Sequence, residues 1–399
     1  MGRERVVPVL ALALCVVLAL AALPLAQAYD GIVEKKVYEV PAYTTVGGKT
    51  IKNLRVGYET YGKLNAAGDN AVLICHYFSA NSHAAGRYQG EERRGYWDSI
   101  IGAGKPIDTD KYFVLSVDSL ANVNTRDPHT ITTGPASIDP DTGKPYGMRF
   151  PVVTIRDFVN VQKAVADALG VKRFHAVGGA SMGALQAIEW SVAYPDLVGR
   201  VLAVIGVGLE TSPYAIATMD LWSAPIRLDA KWNNGDYYGK DEPIDGLAAA
   251  VKMALLQSRS PAWAQKQFAR KWAAQDKDPL ASFDNQYAVQ AWLDEQSRSR
   301  AKLYDANAWL YLAKAVQLWH AGQQPSPEAA VRRIKARTIL IPVKSDVLTF
   351  PEFSRTALEQ LMSQRRPVDF FEIDDDGGHV DGIASIGKAA DTIRLFLED

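Results

Sequence analysis

The sequence has 399 residues, of which 48% are hydrophobic and 22% are charged, and its formal net charge is -1. This composition is typical of globular proteins, and the length suffices for one large or two modest domains. The near-neutral charge excludes the basic footprint of a nucleic-acid-binding protein. The cysteines and histidines show no metal-ligand spacing, so we expect neither a metal site nor a bound cofactor.

The first 28 residues have the pattern of a secretory signal peptide. Arg3 and Arg5 precede an apolar run that ends in Ala26-Gln27-Ala28, the small-x-small pattern that signal peptidase cleaves. We therefore expect a mature protein of residues 29–399 that is exported to the periplasm or secreted, without stable insertion in a membrane. An uncleaved anchor is the alternative, because the apolar run approaches the roughly 20 residues that span a bilayer.

Short apolar or β-branched segments alternate with helical segments from residue 29 to about residue 210, and again from residue 331 to residue 399. This alternation predicts an α/β core with a mainly parallel sheet covered by helices. The predicted strands are Ala71–His76, Tyr112–Val117, Phe174–Val177, Val201–Ile205, Thr338–Val343 and Val368–Ile373, and a last helix is predicted near Lys388–Leu397. The first three strands end at polar or glycine-rich turns, where open α/β sheets carry their active sites.

Residues 211–330 show no strand alternation and are predicted to form a helical cap inserted into this core. The predicted cap helices include Ile244–Gln257, Pro261–Ala274 and Asn307–His320. Seven of the nine tryptophans lie in this segment. Because this much aromatic surface must be buried against the core, a pocket or another subunit, we expect a homodimer through the cap, with a well-packed monomeric cap as the alternative.

A serine motif follows the predicted strand Phe174–Val177 and precedes a helix-forming run, Ala184–Tyr194. It reads Gly179-Ala180-Ser181-Met182-Gly183, the G-x-S-x-G pattern of a nucleophile elbow in the strand-turn-helix context that this motif requires. Glycines flank the serine because its backbone is held in a strained turn with no room for neighbouring side chains. We therefore predict that Ser181 is a catalytic nucleophile.

A serine hydroxyl is a poor nucleophile at neutral pH and needs a histidine base that an acid orients. In folds with this elbow the three residues follow the chain order serine, acid, histidine, so His320 and His379 remain as candidate bases. His379 follows a predicted strand in a glycine-rich loop, whereas His320 ends a predicted cap helix, and we predict His379. The predicted acid is Asp346, which follows a predicted strand by a short turn; a surface turn aspartate is the alternative interpretation.

Acyl transfer also needs two backbone N–H donors for the oxyanion, one from the residue after the nucleophile and one from the turn after the third strand. The first donor is therefore Met182. The second belongs to the segment 76–79, and Phe78 is our prediction. Cys75 and His76 are expected to be structural.

Several other segments match, in the same order along the chain, those of one enzyme family. They are Cys75-His76, Ser82-His83-Ala84-Ala85-Gly86, Ile107–Val114, Gly134–Ser137, Phe150–Asp157 and Asp305-Ala306-Asn307. On these segments and the serine motif, the chain resembles the homoserine O-acetyltransferase family. The resemblance implies an α/β-hydrolase fold, the same three catalytic residues, and an acyl-enzyme on Ser181 that is passed to a hydroxyl acceptor. It also points to dimers joined through cap helices.

The sequence departs from the family pattern where the substrate is recognised. Family members carry an arginine in the first cap helix that binds the homoserine carboxylate, and alignment from Asp229 to Trp232 places Ser223 there. They also tend to have an aspartate directly after the catalytic histidine, where this chain has Val380 and then Asp381. We expect from these changes that homoserine and acetyl-CoA are a poor substrate pair.

The sequence thus predicts an exported serine-dependent acyl-transfer enzyme that acts on a small-molecule acyl ester or acyl donor. Because acetyl-CoA is a cytoplasmic thioester, we favour an ester hydrolase or an acyltransferase with another donor. A homoserine O-acetyltransferase proper is the second hypothesis. A non-catalytic binding module on a hydrolase scaffold is the third.

Overall fold

The computed structural model describes residues 29–323 and 326–398. The predicted signal peptide, residues 1–28, lies outside this part of the chain. Among the described residues, no helix is both long enough and apolar enough to cross a bilayer.

A sheet of eight strands forms the centre of the described fold. Its strands are β1 (Lys36–Thr44), β2 (Thr50–Tyr61), β3 (Ala71–Cys75), β4 (Phe113–Val117), β5 (Phe174–Ala180), β6 (Val198–Val204), β7 (Arg337–Ile341) and β8 (Val368–Phe370). Their order across the sheet is β1-β2-β4-β3-β5-β6-β7-β8. The pairs β1/β2 and β2/β4 are antiparallel and the other neighbours are parallel. The prediction of an α/β fold with a mainly parallel sheet is confirmed.

The central strands are continuous apolar runs because both faces of the sheet are covered. In β3, for example, Leu73 and Cys75 belong to one buried cluster, whereas Val72 and Ile74 belong to the other. The edge strand β1 is largely exposed and its sequence is correspondingly mixed. The hairpin of β1 and β2 was therefore not among the predicted strands.

The α-helices in the described ranges cover the sheet and form a separate group above its carboxyl edge. They are α1 (Ile155–Ala168), α2 (Met182–Ala193), α3 (Pro213–Leu228), α4 (Ile244–Gln257), α5 (Pro261–Gln267), α6 (Ala288–Ala301), α7 (Ala306–Gln317), α8 (Pro327–Arg333), α9 (Pro351–Ser363), α10 (Asp381–Ala384) and α11 (Ala390–Glu398). Helix α2 packs against β5 and β6, and α1 packs against α2. Helices α3 to α7 lie between β6 and β7 in the chain, where the cap is predicted; the cap boundaries at residues 211 and 330 stay a prediction.

Within this helical segment, α3 packs against α4 and α7, and α4 packs against α6. The prediction of a helix over Pro261–Ala274 is wrong beyond Gln267. The backbone of Ala269 has φ = 47°, which a right-handed helix does not allow. The chain then turns, and Trp272 forms an isolated antiparallel bridge with Tyr287.

The aromatic surface of the cap segment is divided between its interior and the solvent. Trp222, Trp309 and Trp319 are buried, whereas Trp272 is 42% exposed. Other exposed apolar side chains lie on α3 and in the segment between α5 and α6: Leu221, Leu228, Leu280 and Phe283.

Candidate active site

Ser181 lies at a sharp turn between β5 and α2, at the carboxyl edge of the sheet. Its backbone has φ = 56° and ψ = -120°. Positive φ is uncommon for a residue with a side chain and costs of order 1–3 kcal/mol. The surrounding structure therefore holds Ser181 in the strained conformation that is typical of a nucleophile elbow.

The two glycines of the motif are required by close contact with the end of β3. A methyl group on Gly183 would lie 2.1 Å from the carbonyl oxygen of Cys75, and one on Gly179 would lie 2.6 Å from the same atom. Both distances are far below van der Waals contact. The elbow is thus pressed against β3, and only glycine fits on either side of the serine.

The structure brings Ser181, His379 and Asp346 together in one hydrogen-bonded line. His379 Nε2 lies 2.9 Å from Ser181 Oγ, and His379 Nδ1 lies 2.7 Å from Asp346 Oδ2. His379 is 8% exposed and Asp346 is 2% exposed, so water is largely excluded from the line. His320, the other candidate base, lies beyond the end of α7 in an isolated bridge with Glu210.

The Asp346 carboxylate accepts hydrogen bonds on both oxygens. Its donors besides His379 are the backbone N–H of Leu348 at 2.8 Å, the backbone N–H of Thr349 at 3.0 Å and the Thr349 hydroxyl at 2.7 Å. Burial raises the pKa of Asp346, but attraction to His379 and these hydrogen bonds outweigh burial and hold the pKa below its usual value. The ionised carboxylate accepts a hydrogen bond from the Nδ1–H group of the imidazole. The lone pair of Nε2 therefore faces the serine hydroxyl.

Thr349 is a site residue that the sequence reasoning missed. Its hydroxyl lies between Asp346 Oδ2, the carbonyl oxygen of Ile205 at 3.1 Å and His379 Nδ1 at 3.1 Å. Asp346 also accepts the backbone N–H groups two and three residues later, as aspartates in turns commonly do. A threonine three residues after a predicted turn aspartate was the available signal.

The candidate oxyanion donors flank Ser181 on two elements. Met182 is the first residue of α2, and Phe78 lies in the turn that follows β3. In the described part of the chain, neither backbone N–H donates to a protein acceptor. Both N–H groups are therefore free to bind an oxyanion, and their assignment as its donors stays a prediction.

Buried polar side chains hold the turn after β3. His76 is fully buried, and burial lowers its pKa, so its imidazole is neutral. Its Nδ1–H donates to Tyr77 O at 2.8 Å, while its Nε2 accepts from Ser119 N at 2.9 Å. Asn124 donates to Ser79 O at 3.1 Å from the other side. The turn that contains Phe78 is thus fixed before any ligand binds.

Aromatic rings form a wall beside the turn. The Phe78 ring centroid lies 4.9 Å from that of Trp309 and 5.8 Å from that of Trp222, both in edge-to-face geometry. Tyr304 stacks on Trp309 at 6.1 Å. The cap helices α3 and α7 therefore present an apolar surface to the residue that is predicted to bind the oxyanion.

The two positions at which the sequence departs from the family pattern have polar groups that form hydrogen bonds within the protein. Ser223 is 3% exposed, and its hydroxyl donates to Met219 O at 2.7 Å, within α3. Asp381 is 6% exposed, and its carboxylate accepts from Gly377 N at 2.6 Å. Burial is the largest contribution to the pKa of Asp381 and raises it. Both groups thus form hydrogen bonds with the protein backbone.

Comparison with known proteins assigns the class of this site. The profile of the family described as "alpha/beta hydrolase fold" matches residues 70–384. The chain is 40% identical to the homoserine O-acetyltransferase of Methanosphaerula palustris over 352 residues, which cover 88% of this chain and 70% of that protein. It therefore belongs to the alpha/beta hydrolase fold family. Within that fold, it belongs to the homoserine O-acetyltransferase family of acyltransferases and hydrolases.

Two solved structures have nearly the same fold. Esterase E22 is 46% identical to this chain and superposes on it with a TM-score of 0.88. The superposition covers 92% of this chain and 100% of that chain. The homoserine O-acetyltransferase from Bacillus anthracis is 35% identical, also with a TM-score of 0.88. That superposition covers 92% of this chain and 98% of that chain. The chain is thus similar both to a transferase and to an esterase, and is an enzyme of the acyltransferase and hydrolase class.

Proposed function

We propose that this chain is an exported serine ester hydrolase that transfers the acyl group of a small-molecule ester to water. Ser181 is the nucleophile, His379 is the general acid and base, and Asp346 orients His379. Met182 and Phe78 supply the backbone N–H groups that bind the oxyanion. The contact of Ser181 with His379, and of His379 with Asp346, supports this proposal.

The chemistry proceeds in two matched steps. Ser181 Oγ attacks the ester carbonyl while its proton moves to His379 Nε2, and the oxyanion is stabilised by the two backbone N–H groups. The tetrahedral intermediate then expels the alcohol, which takes the proton from His379, and an acyl-enzyme remains on Ser181. Water next attacks the acyl-enzyme as its proton moves to His379, and the acid leaves as Ser181 regains a proton.

The two positions that depart from the family pattern support water over an amino acid as the acceptor. The Asp381 carboxylate is engaged by Gly377 N, and Ser223 contributes no charge at the position where the family has an arginine. Recognition of an amino acid needs charged partners for both of its ionised groups. The aromatic wall of Phe78, Trp222 and Trp309 suits an apolar ester better than an amino acid.

Homoserine O-acetylation is the second candidate function, and the curated relatives favour it. Eight homoserine O-acetyltransferases are 33–40% identical to this chain over most of its length. An acyl-enzyme on Ser181 serves both functions, because only the acceptor of the second step differs. The two candidates therefore make different predictions about acceptors and the same prediction about the nucleophile.

A substrate comparison with the purified protein separates the two functions. The hydrolase proposal predicts rapid release of nitrophenol from short-chain nitrophenyl esters, and formation of O-acetylhomoserine from homoserine and acetyl-CoA far below the 10⁴ M⁻¹s⁻¹ or so that is usual for a dedicated enzyme. O-acetylhomoserine formation at or above that value would establish the transferase instead. A series of alcohol acceptors added to the ester assay tests whether another hydroxyl replaces water.

Export and dimerisation are parts of the same proposal. The pattern of residues 1–28 supports export, and an exported enzyme does not meet cytoplasmic acetyl-CoA, in keeping with an ester as the acyl donor. Exposed apolar side chains such as Leu228 and Phe283 support a second copy of the chain as the partner of the cap segment.

A further inference from the structure

A three-residue segment, Ser258–Ser260, links α4 to α5 and lies against the loop that carries His379; we call it the cap linker. It is separated by more than a hundred residues of sequence from that loop, residues 374–380. Its hydrogen bonds to the loop are Val380 N to Ser258 O at 3.3 Å, Ser260 N to Gly377 O at 3.4 Å, and the Ser260 hydroxyl to Asp376 O. These bonds fasten the cap segment directly to the residues on both sides of His379.

This contact leaves no room for a side chain on the residue before His379. Gly378 has φ = 86°, and a methyl group there would lie 2.6 Å from Ser260 N and 2.8 Å from the carbonyl carbon of Arg259. A side chain at this position is excluded by the backbone conformation and by the cap linker alike. The glycine thus permits the backbone of the cap to lie directly on the backbone of the His379 loop.

The core holds the opposite side of the same loop. Ser345, the neighbour of Asp346, accepts from Gly378 N at 3.1 Å and donates to Asp375 O at 2.5 Å. The loop is therefore clamped between the turn that carries the acid and the cap linker. The position of the loop depends on both contacts. The distance from His379 Nε2 to Ser181 Oγ depends on them in turn.

We propose that the cap linker acts as a latch, in the sense that its hydrogen bonds hold the loop that carries His379 in place. Ser260 is then a positioning residue that keeps His379 Nε2 within hydrogen-bond distance of Ser181 Oγ. The proposal rests on the function proposed above, in which His379 is the base. Because α4 ends and α5 begins at the cap linker, a displacement of either helix displaces the 376–380 backbone.

Removal of the Ser260 hydroxyl tests the latch. Ser260→Ala is expected to lower kcat for a nitrophenyl ester by about tenfold or more, because small misplacements of a catalytic group cost up to about 10²-fold. KM should stay within about twofold, since Ser260 acts through His379 and not on the substrate. Ser260→Thr retains a hydroxyl and should restore most of kcat.

A matched control separates the latch from a lost helix cap. Ser260 also caps α5, where its Oγ accepts Trp263 N at 3.0 Å, and Ser212 caps α3 in the same way through Ala215 N at 3.2 Å. Both serines precede a proline. Ser212→Ala loses a comparable cap without touching the His379 loop, so its kcat should stay within about twofold of the wild-type value. An equal loss of kcat in both variants, or no loss in Ser260→Ala, would overturn the proposal.

Amide hydrogen exchange gives a readout that does not need activity. Residues 374–381 should exchange faster in Ser260→Ala than in the wild-type protein or Ser212→Ala, because the loop has lost the side-chain hydrogen bond among its three hydrogen bonds to the cap linker. Unchanged exchange there contradicts the latch even if the wild-type protein is an active esterase. A wild-type protein without esterase activity would count against the proposed function, while the exchange rates would still decide whether the cap linker holds the loop.

Discussion

The Thr349 hydroxyl lies 2.7 Å from Asp346 Oδ2, the same carboxylate oxygen that lies 2.7 Å from His379 Nδ1. The threonine thus shares one acceptor with the proposed base. Thr349 is 6% exposed and its backbone N–H donates to the other oxygen of Asp346 at 3.0 Å. The two contacts fix the plane of the carboxylate, and the carboxylate in turn fixes the imidazole.

Loss of this hydroxyl should impair catalysis without unfolding the protein. Thr349→Val keeps the shape of the side chain but removes the donor, so we expect kcat to fall about 10-fold to 100-fold, because small misplacements of catalytic groups cost up to about 10²-fold. Thr349→Ser keeps the donor and should stay near the wild-type rate. Steady-state kinetics on a nitrophenyl ester measures both, and equal rates for Val and wild type would show that Thr349 does not orient Asp346.

The lowered pKa of Asp346 links this residue to the acid stability of the fold. A carboxylate whose pKa is lower in the folded than in the unfolded state stabilises the fold above its unfolded pKa, about 3.9, and loses this contribution as the pH falls through the folded pKa. The free energy of unfolding should therefore decrease as the pH falls below about 4. The decrease should be shallower in Asp346→Asn, which has no proton to bind. Urea unfolding of both proteins across this range measures the effect, and parallel pH profiles would contradict it.

Gly183, two residues after the nucleophile, should be required for the full stability of the fold. Gly183→Ala places a methyl group 2.1 Å from Cys75 O, so the elbow or β3 must move. Overpacking of this kind costs about 1–3 kcal/mol of unfolding free energy. Gly387 has no neighbouring atom within 4 Å of an added methyl group, and Gly387→Ala should change stability by less than about 0.5 kcal/mol. Chemical denaturation compares the two, and equal effects would show that the elbow tolerates the methyl group.

The cap segment should form the contact of a homodimer. Leu280 is 93% exposed and Phe283 is fully exposed between α5 and α6, and apolar surface of this kind commonly marks an interface. Light scattering on residues 29–399 at micromolar concentration should give the mass of a dimer, and Leu280→Asp with Phe283→Asp should shift it toward the monomer. Leu395→Asp, which changes a 60% exposed leucine on α11, serves as the control. A monomer mass for the unmodified protein would contradict the dimer.

The sequence predicted the central sheet because its parallel strands are unbroken apolar runs. Predicted and observed strands start within three residues of one another from Ala71 onward, and the helix Ile244–Gln257 has the predicted bounds. The hairpin of β1 and β2 was missed, since β1 is largely exposed and β2 mixes buried and exposed residues, so neither strand is an apolar run. Helix α5 was predicted too long because alanine is a good helix former, whereas Ala269 adopts positive φ in the turn before the bridge of Trp272 to Tyr287.

The residues predicted for the site were found by chain order and strand ends, and the structure places Ser181, His379 and Asp346 in contact. Ser260 could not be found in this way, and the signal for Thr349 was its place three residues after Asp346. The Ser260 hydroxyl contacts a backbone carbonyl of the His379 loop, and the Thr349 hydroxyl lies near Ile205 O and His379 Nδ1. These contacts depend on how segments distant in sequence are folded together. Local patterns identify groups that react, whereas the groups that position them require the tertiary structure.

The esterase activity of Ser181→Ala, measured beside the wild-type protein, tests the central claim most directly. Ser181 is the proposed nucleophile of both steps, so the variant should lose about 10⁴-fold or more in kcat for nitrophenyl acetate. Its far-UV circular dichroism should stay unchanged, because within the described part of the chain the hydroxyl forms a hydrogen bond only with His379. A folded Ser181→Ala protein with activity within about tenfold of the wild-type value would contradict the proposed mechanism.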